Sequence, residues 1–152
     1  MSQATLNIAV TAAHTAGELM RRQFENVSSL PVTRKARHDY VSEVDQACEA
    51  AIVREISHYF PDHAFLGEEG GLSGNSESDT VWVIDPLDGT SNYLHGIPHF
   101  AVSIAQQING RTECGVVFDP MRDELYTAVR GRGAFLNQKR IRVSARTELE
   151  TS

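Results

Sequence analysis

Residues 81–92, VWVIDPLDGTSN, decide the fold. A wholly apolar run, Val81-Trp82-Val83-Ile84, ends in Asp85-Pro86, and a second carboxylate follows at Asp88. Four such residues, β-branched and aromatic, predict a short buried strand. Pro86 fixes its own backbone, lacks a donor N–H and pushes Asp85 into an extended conformation, which places Asp85 at the strand's C-terminal end. Gly89 permits the sharp turn that returns Asp88 to Asp85. Thr90, Ser91 and Asn92 are residues that begin helices, so a short helix toward His95 is expected. Two carboxylates ~4 Å apart repel by roughly 4 kcal/mol at an effective dielectric of 20. Taken alone the motif reads equally as a turn held by Asx hydrogen bonds, since Asp-Gly dipeptides are common turn formers, or as a site for a compensating cation, beside which the free N–H groups of a helix start suit phosphate.

Upstream of this turn, Leu6, Ala9, Val10, Ala13, Ala16, Gly17, Met20 and Phe24 recur at helical spacing and predict an amphipathic helix over roughly residues 4–25. The mixed stretch from Asn26 to Asp39 reads as a connection. A second stripe, Val44, Ala47, Cys48, Ala51, Ile52, Ile56 and Tyr59, predicts a helix with Ser42 as its N-cap and Pro61 as its stop. Asp45, three residues after Ser42, then occupies the place of a capping carboxylate. Ala64-Phe65-Leu66 reads as a strand running into Gly67-Glu68-Glu69, and the Gly- and Ser-rich segment up to Ser78 as a loop.

Downstream, Phe100–Ile108 and Arg111–Phe118 flank Asn109-Gly110, the strongest short-range hairpin signal. Glu124–Val129 and Ala134–Leu136 follow as further strands. Two helices and then hairpin-linked strands predict an α+β fold: two N-terminal helices packed on a largely antiparallel sheet, as a single domain over residues 1–152.

The bulk numbers narrow the function classes. A net charge of −6 opposes non-specific attraction to nucleic acid or an anionic membrane, and neither is expected as a partner. Two cysteines, Cys48 and Cys114, lie far apart without metal-ligand spacing, which fits free thiols in a reducing cytoplasm. No apolar run approaches membrane-spanning length. The candidate site offers hard oxygens, Glu68, Asp85 and Asp88, which select magnesium, with manganese as the substitute, over zinc. His95 and His99 read first as structural side chains beside the turn.

Together, DYVSEVD at 39–45, GEE at 67–69, WVIDPLDGTSNYLHGIPHFAVSIA at 82–105 and GVVFDPMRDELYTAVRGRGAFLNQKRIRVS at 115–144 resemble the inositol monophosphatase family, bacterial members included. The resemblance implies a layered sugar-phosphatase fold and Mg2+-dependent hydrolysis of inositol 1-phosphate or a related sugar phosphate by direct attack of metal-activated water. It implies that Glu68, Asp85, Asp88 and the carbonyl of Leu87 bind magnesium, and that Gly89 and Thr90 present backbone N–H groups to phosphate. It implies further that Asp45 supports Thr90, and that Thr90 and Glu68 orient the attacking water. Glu68 at hydrogen-bond range could take that water's proton, and two metals could clamp the entering and leaving oxygens. Haloacid-dehalogenase-type phosphatases carry one residue between their aspartates, whereas this chain carries two, Pro86 and Leu87, which excludes that geometry.

The family pattern continues into a second α/β layer whose Trp-Asp motif supplies another metal-binding aspartate, and nothing in the 152 residues matches it. An incomplete second metal position and an open sheet face are the expected consequences. The alternative function is a catalytically incomplete homologue acting as an interaction or regulatory partner of the transcription machinery, a role some bacterial relatives have. Homodimerisation and lithium inhibition are implied by the resemblance alone.

Overall fold

The computed structural model describes residues 3–27, 29 and 34–145. In chain order it contains α1 (Gln3–Val27), α2 (Arg34–Tyr59), β1 (Ala64–Gly67), β2 (Gly71–Gly74), β3 (Thr80–Asp88), α3 (Thr90–Leu94), β4 (Ala101–Ile108), β5 (Arg111–Asp119), β6 (Glu124–Val129), β7 (Gly133–Leu136) and β8 (Lys139–Ile141). The strands form one sheet in the order β2-β1-β3-β4-β5-β6-β7-β8. All pairings are antiparallel except β1 with β3, which run parallel. The expected α+β architecture, with its two N-terminal helices and largely antiparallel sheet, is present.

The apolar stripe of α1 is small-residue-rich, with Ala9, Ala12, Ala13, Ala16 and Gly17 buried beside Leu6 and Met20. Small residues let the helix axis approach the sheet closely. A Cβ at Gly17 would collide with the Phe118 ring of β5. Helices and sheet share one core: α2, with Ile52 and Ile56, packs on β3, and α1 packs on β4 and β5, which contribute Val102, Ile104, Val116 and Phe118 beside Trp82 and Ile84 of β3. Period-2 alternation sends Val81, Val83, Ser103, Ala105 and Val117 to the other face, where they are half-buried or exposed.

Three local expectations are corrected. First, α2 begins at Arg34, so Ser42 lies inside the helix and is not its N-cap, and Asp45 is not a capping carboxylate. Val41 is 2% exposed and extends the buried stripe upstream of Ser42, and Lys35, Ala36 and Arg37 are good helix formers that carry the turn before it. Second, Gly71–Gly74 forms an edge strand rather than loop; it pairs with β1 while leaving its side chains in solvent, so no hydrophobic alternation announces it. Third, β3 does not stop at Ile84 but continues to Asp88. Pro86 is tolerated because the ladder to β4 slips between Asp85 and Asp88, and proline fits where a strand bulges. The Asn109-Gly110 hairpin forms as expected, with both residues at positive φ.

Candidate active site

The parallel pairing of β1 with β3 positions the acidic residues. Gly67 sits opposite Ile84 in register, so Glu68 and Asp85, the next residue on each strand, emerge side by side at the same end of the sheet. The Glu68 N–H donates to the Ile84 carbonyl at 3.1 Å and fixes this junction. The Glu68 carboxyl stands within hydrogen-bond reach of Asp85. Burial, then that hydrogen bond, then the charges of Glu68 and Asp88 push the Asp85 carboxyl above its usual range. Asp85 Oδ1 is buried without a hydrogen-bond partner.

Asp45 approaches from α2. It is 4% exposed, and its Oδ1 has no partner either. Burial, reinforced by the charges of Glu69, Asp85, Glu68 and Glu49, pushes its carboxyl up to about 7. One turn further along α2, Glu49 accepts hydrogen bonds from the Glu69 and Gly70 N–H groups at 2.9 and 2.8 Å. A Cβ at either Gly67 or Gly70 would collide with the Glu49 carboxylate, so the bare backbone of this loop is what lets Glu49 grip it. Sequence motifs missed Glu49. Its signal was position, four residues after Asp45 on one helix. Among the described residues the ion pairs involve Glu18 and Glu113, and none of these site carboxylates has a basic partner.

After Asp88 the chain turns through Gly89 at φ 95°, where a Cβ would press on the His99 carbonyl and Phe100. The short helix α3 follows as expected, but the residue at its cap is Gly89, with no side-chain capping bond. The Thr90 hydroxyl donates back to the Leu87 carbonyl at 2.9 Å rather than to Asp45. Tyr93 anchors α3 to α1 through its hydroxyl, 2.8 Å from the Met20 carbonyl, and packs between Phe24 and Phe100. His95 Nδ1 lies 2.7 Å from the Ser91 carbonyl, a structural bond.

The turn separates two cavities. Asp45, Glu69 and Thr90 line one of about 510 Å³, between α2 and α3, together with His38, Ser42 and His95. Asp88 and Gly89 line another of about 220 Å³, with Asn92, His99 and Asp119. The sequence-selected residues are thus gathered around one turn, not inside one cavity. Among the described residues no three His, Cys, Asp or Glu side chains are grouped in a metal-holding arrangement. The donor set nonetheless suits a hard divalent cation. Its oxygens are carboxylates and a carbonyl, the Asp85 Oδ1 is open, and no basic side chain neutralises the cluster.

Known proteins share this sequence and fold. The chain is 54% identical over 150 residues to the Nus factor SuhB of Pseudomonas aeruginosa, covering 97% of this chain and 55% of that protein. The native crystal structure of the extragenic suppressor protein suhB from Bartonella henselae superposes with a TM-score of 0.87 at 46% identity, over 97% of this chain and 57% of that one. An inositol monophosphatase from Anabaena superposes with a TM-score of 0.82 at 39% identity, over 96% and 52% respectively. The chain spans about half the length of the curated relatives it matches. The model of the inositol monophosphatase family matches residues 1–152, and the chain belongs to that family.

Proposed function

We propose that the chain carries the acidic half of a magnesium-dependent phosphomonoesterase site, acting on inositol 1-phosphate or a related sugar phosphate. The observation that carries this is the parallel register of β1 with β3, which sets Glu68 beside Asp85, whose Oδ1 is buried without a hydrogen-bond partner. Glu68, Asp85 and the Leu87 carbonyl would hold one magnesium, and Asp85 with Asp88 part of a second, with manganese as a substitute. Magnesium there supplies Lewis acidity toward phosphoryl oxygens and a lowered pKa for water. Gly89 and Thr90 direct backbone N–H groups at phosphate. Glu68 takes the proton of the attacking water, which Thr90 helps to orient. Asp45 would support Thr90 if the Thr90 hydroxyl turned from the Leu87 carbonyl toward the unpartnered Asp45 Oδ1, which lines the same cavity.

Calorimetric titration with Mg2+, followed by phosphate release from inositol 1-phosphate, tests this. Binding and turnover that both vanish in Asp85→Asn support it. Turnover that survives chelation and the substitution sinks it. The family membership also implies lithium inhibition and a homodimer, which we carry as part of the proposal. We treat residues 1–152 as a single domain. We place the protein in the cytoplasm, where its two buried thiols stay reduced; no helix among the described residues is long and apolar enough to cross a membrane.

A second reading has its own support. The relatives found by sequence are named Nus factors, which favours a partner role in the transcription machinery for this chain as well. Folded protein that binds Mg2+ but releases no phosphate would favour that role.

A further inference from the structure

Four strands away from the acidic cluster the surface changes character. Residues 130–142 contain Arg130, Arg132, Lys139, Arg140 and Arg142 and no acidic residue, in a chain of net charge −6. Arg130 is paired with Glu113. Arg132 and Arg140 are exposed and have no carboxylate partner among the described residues.

Beside them lies a groove of about 460 Å³ between the first turns of α1 and the outer strands. Leu6 and Val10 form one wall, Leu125, Val129 and Phe135 the other, with Arg132 at the rim and no acidic residue in the lining. The groove exists because α1 packs on β4 and β5 and leaves the same sheet face of β6 and β7 uncovered. Arg140 pairs in register with Phe135, so it projects on that face, and its guanidinium lies against the bare backbone of Gly133. Arg132 thus lines the trough and Arg140 projects from the same sheet face beside it, at ~20 Å from β3 by strand spacing.

We infer that this groove is a docking site for an acidic amphipathic peptide segment of a partner protein. The apolar ridge of a helix fills a trough of this shape, a recurring recognition mode. Its carboxylates would meet Arg132 and Arg140, which gives the complex register and a salt-sensitive on-rate. A nucleic acid fits less well: phosphates need a continuous row of cations, whereas the floor here is aliphatic, with Phe135 as its one aromatic ring. The surface lies away from the proposed hydrolytic site and does not depend on it.

The test uses the whole chain and a fluorescein-labelled helical peptide bearing leucines at i, i+3, i+4 and i+7 and a terminal pair of glutamates. Fluorescence anisotropy should report binding that weakens with salt. Arg132→Glu and Arg140→Glu should each weaken it about tenfold or more, as loss of a close charge pair does. Replacing the peptide glutamates by glutamine should do the same with the protein untouched. Resonances of Val10, Val129 and Phe135 should shift on titration. Failure of the peptide to bind, binding indifferent to both arginines, preference for a single-stranded oligoribonucleotide, or sedimentation showing a second copy seated in the groove would each overturn the proposal.

Discussion

Asp45 shows how a residue's environment decides its role. The unfolded aspartate titrates near ~3.9, but burial and four surrounding carboxylates carry it to about 7 in the fold. Between those values the folded chain holds a proton that the unfolded chain has released. This contribution to the stability of the metal-free protein is therefore complete below about pH 4 and is lost as pH rises through 7. Urea denaturation in chelator should show stability falling from pH 5 to pH 8, and Asp45→Asn should flatten the profile. An equally steep profile in the variant would assign the slope to other groups. The sequence marked Asp45 as acidic and interesting, but local spacing made it a helix cap. Only the neighbours brought by β1 and β3 turn it into a carboxyl that resists ionisation.

Among the elements, α2 and the β1–β2 loop depend on each other. Glu49 accepts two backbone hydrogen bonds from the loop that carries Glu68, and Gly67 and Gly70 leave the space for it. Gly67→Ala should cost about 0.5–3 kcal/mol, the usual range for a substitution that displaces a packed neighbour, here the half-buried Glu49 carboxylate. In the Glu49→Ala background the same change should cost measurably less, because the collision is gone. Equal losses in both backgrounds would show that Gly67 is needed for another reason. The strands β3, β4 and β5 were legible because about half their side chains enter the core, and β6 and β7 because turn residues bound them. The edge strand β2 was not, since its residues are exposed and its pairing is purely backbone. The first two turns of α2, upstream of Ser42, were hidden for a related reason. Its charged residues read as connection, and the one signal of continuity, Val41, is a single residue.

For the whole molecule, both long helices lie on one face of the sheet, and the opposite face carries Leu66 and Val117, 44% and 40% exposed. Beside them lie the small residues Ser103, Ala105 and Gly115, which leave the surface flat. Such a face favours association. Sedimentation of the isolated chain should show concentration-dependent self-association, and Val117→Lys should reduce it while changing stability by no more than about 0.5 kcal/mol. A monomer at all concentrations would show that the face is tolerated in water.

The sequence by itself determined the fold class, the hairpin turn at Asn109-Gly110 and the apolar strand that leads into Asp85, because periodicity and turn residues are local properties. Tertiary structure alone decided what those residues do to one another. The parallel pairing of β1 with β3 sets Glu68 against Asp85 although seventeen positions separate them. Tertiary packing also gives Glu49 its grip, leaves Asp45 Oδ1 without a hydrogen-bond partner, and divides the site between two cavities. Electrostatic coupling depends on distance through space, and strand pairing, not spacing along the chain, sets that distance.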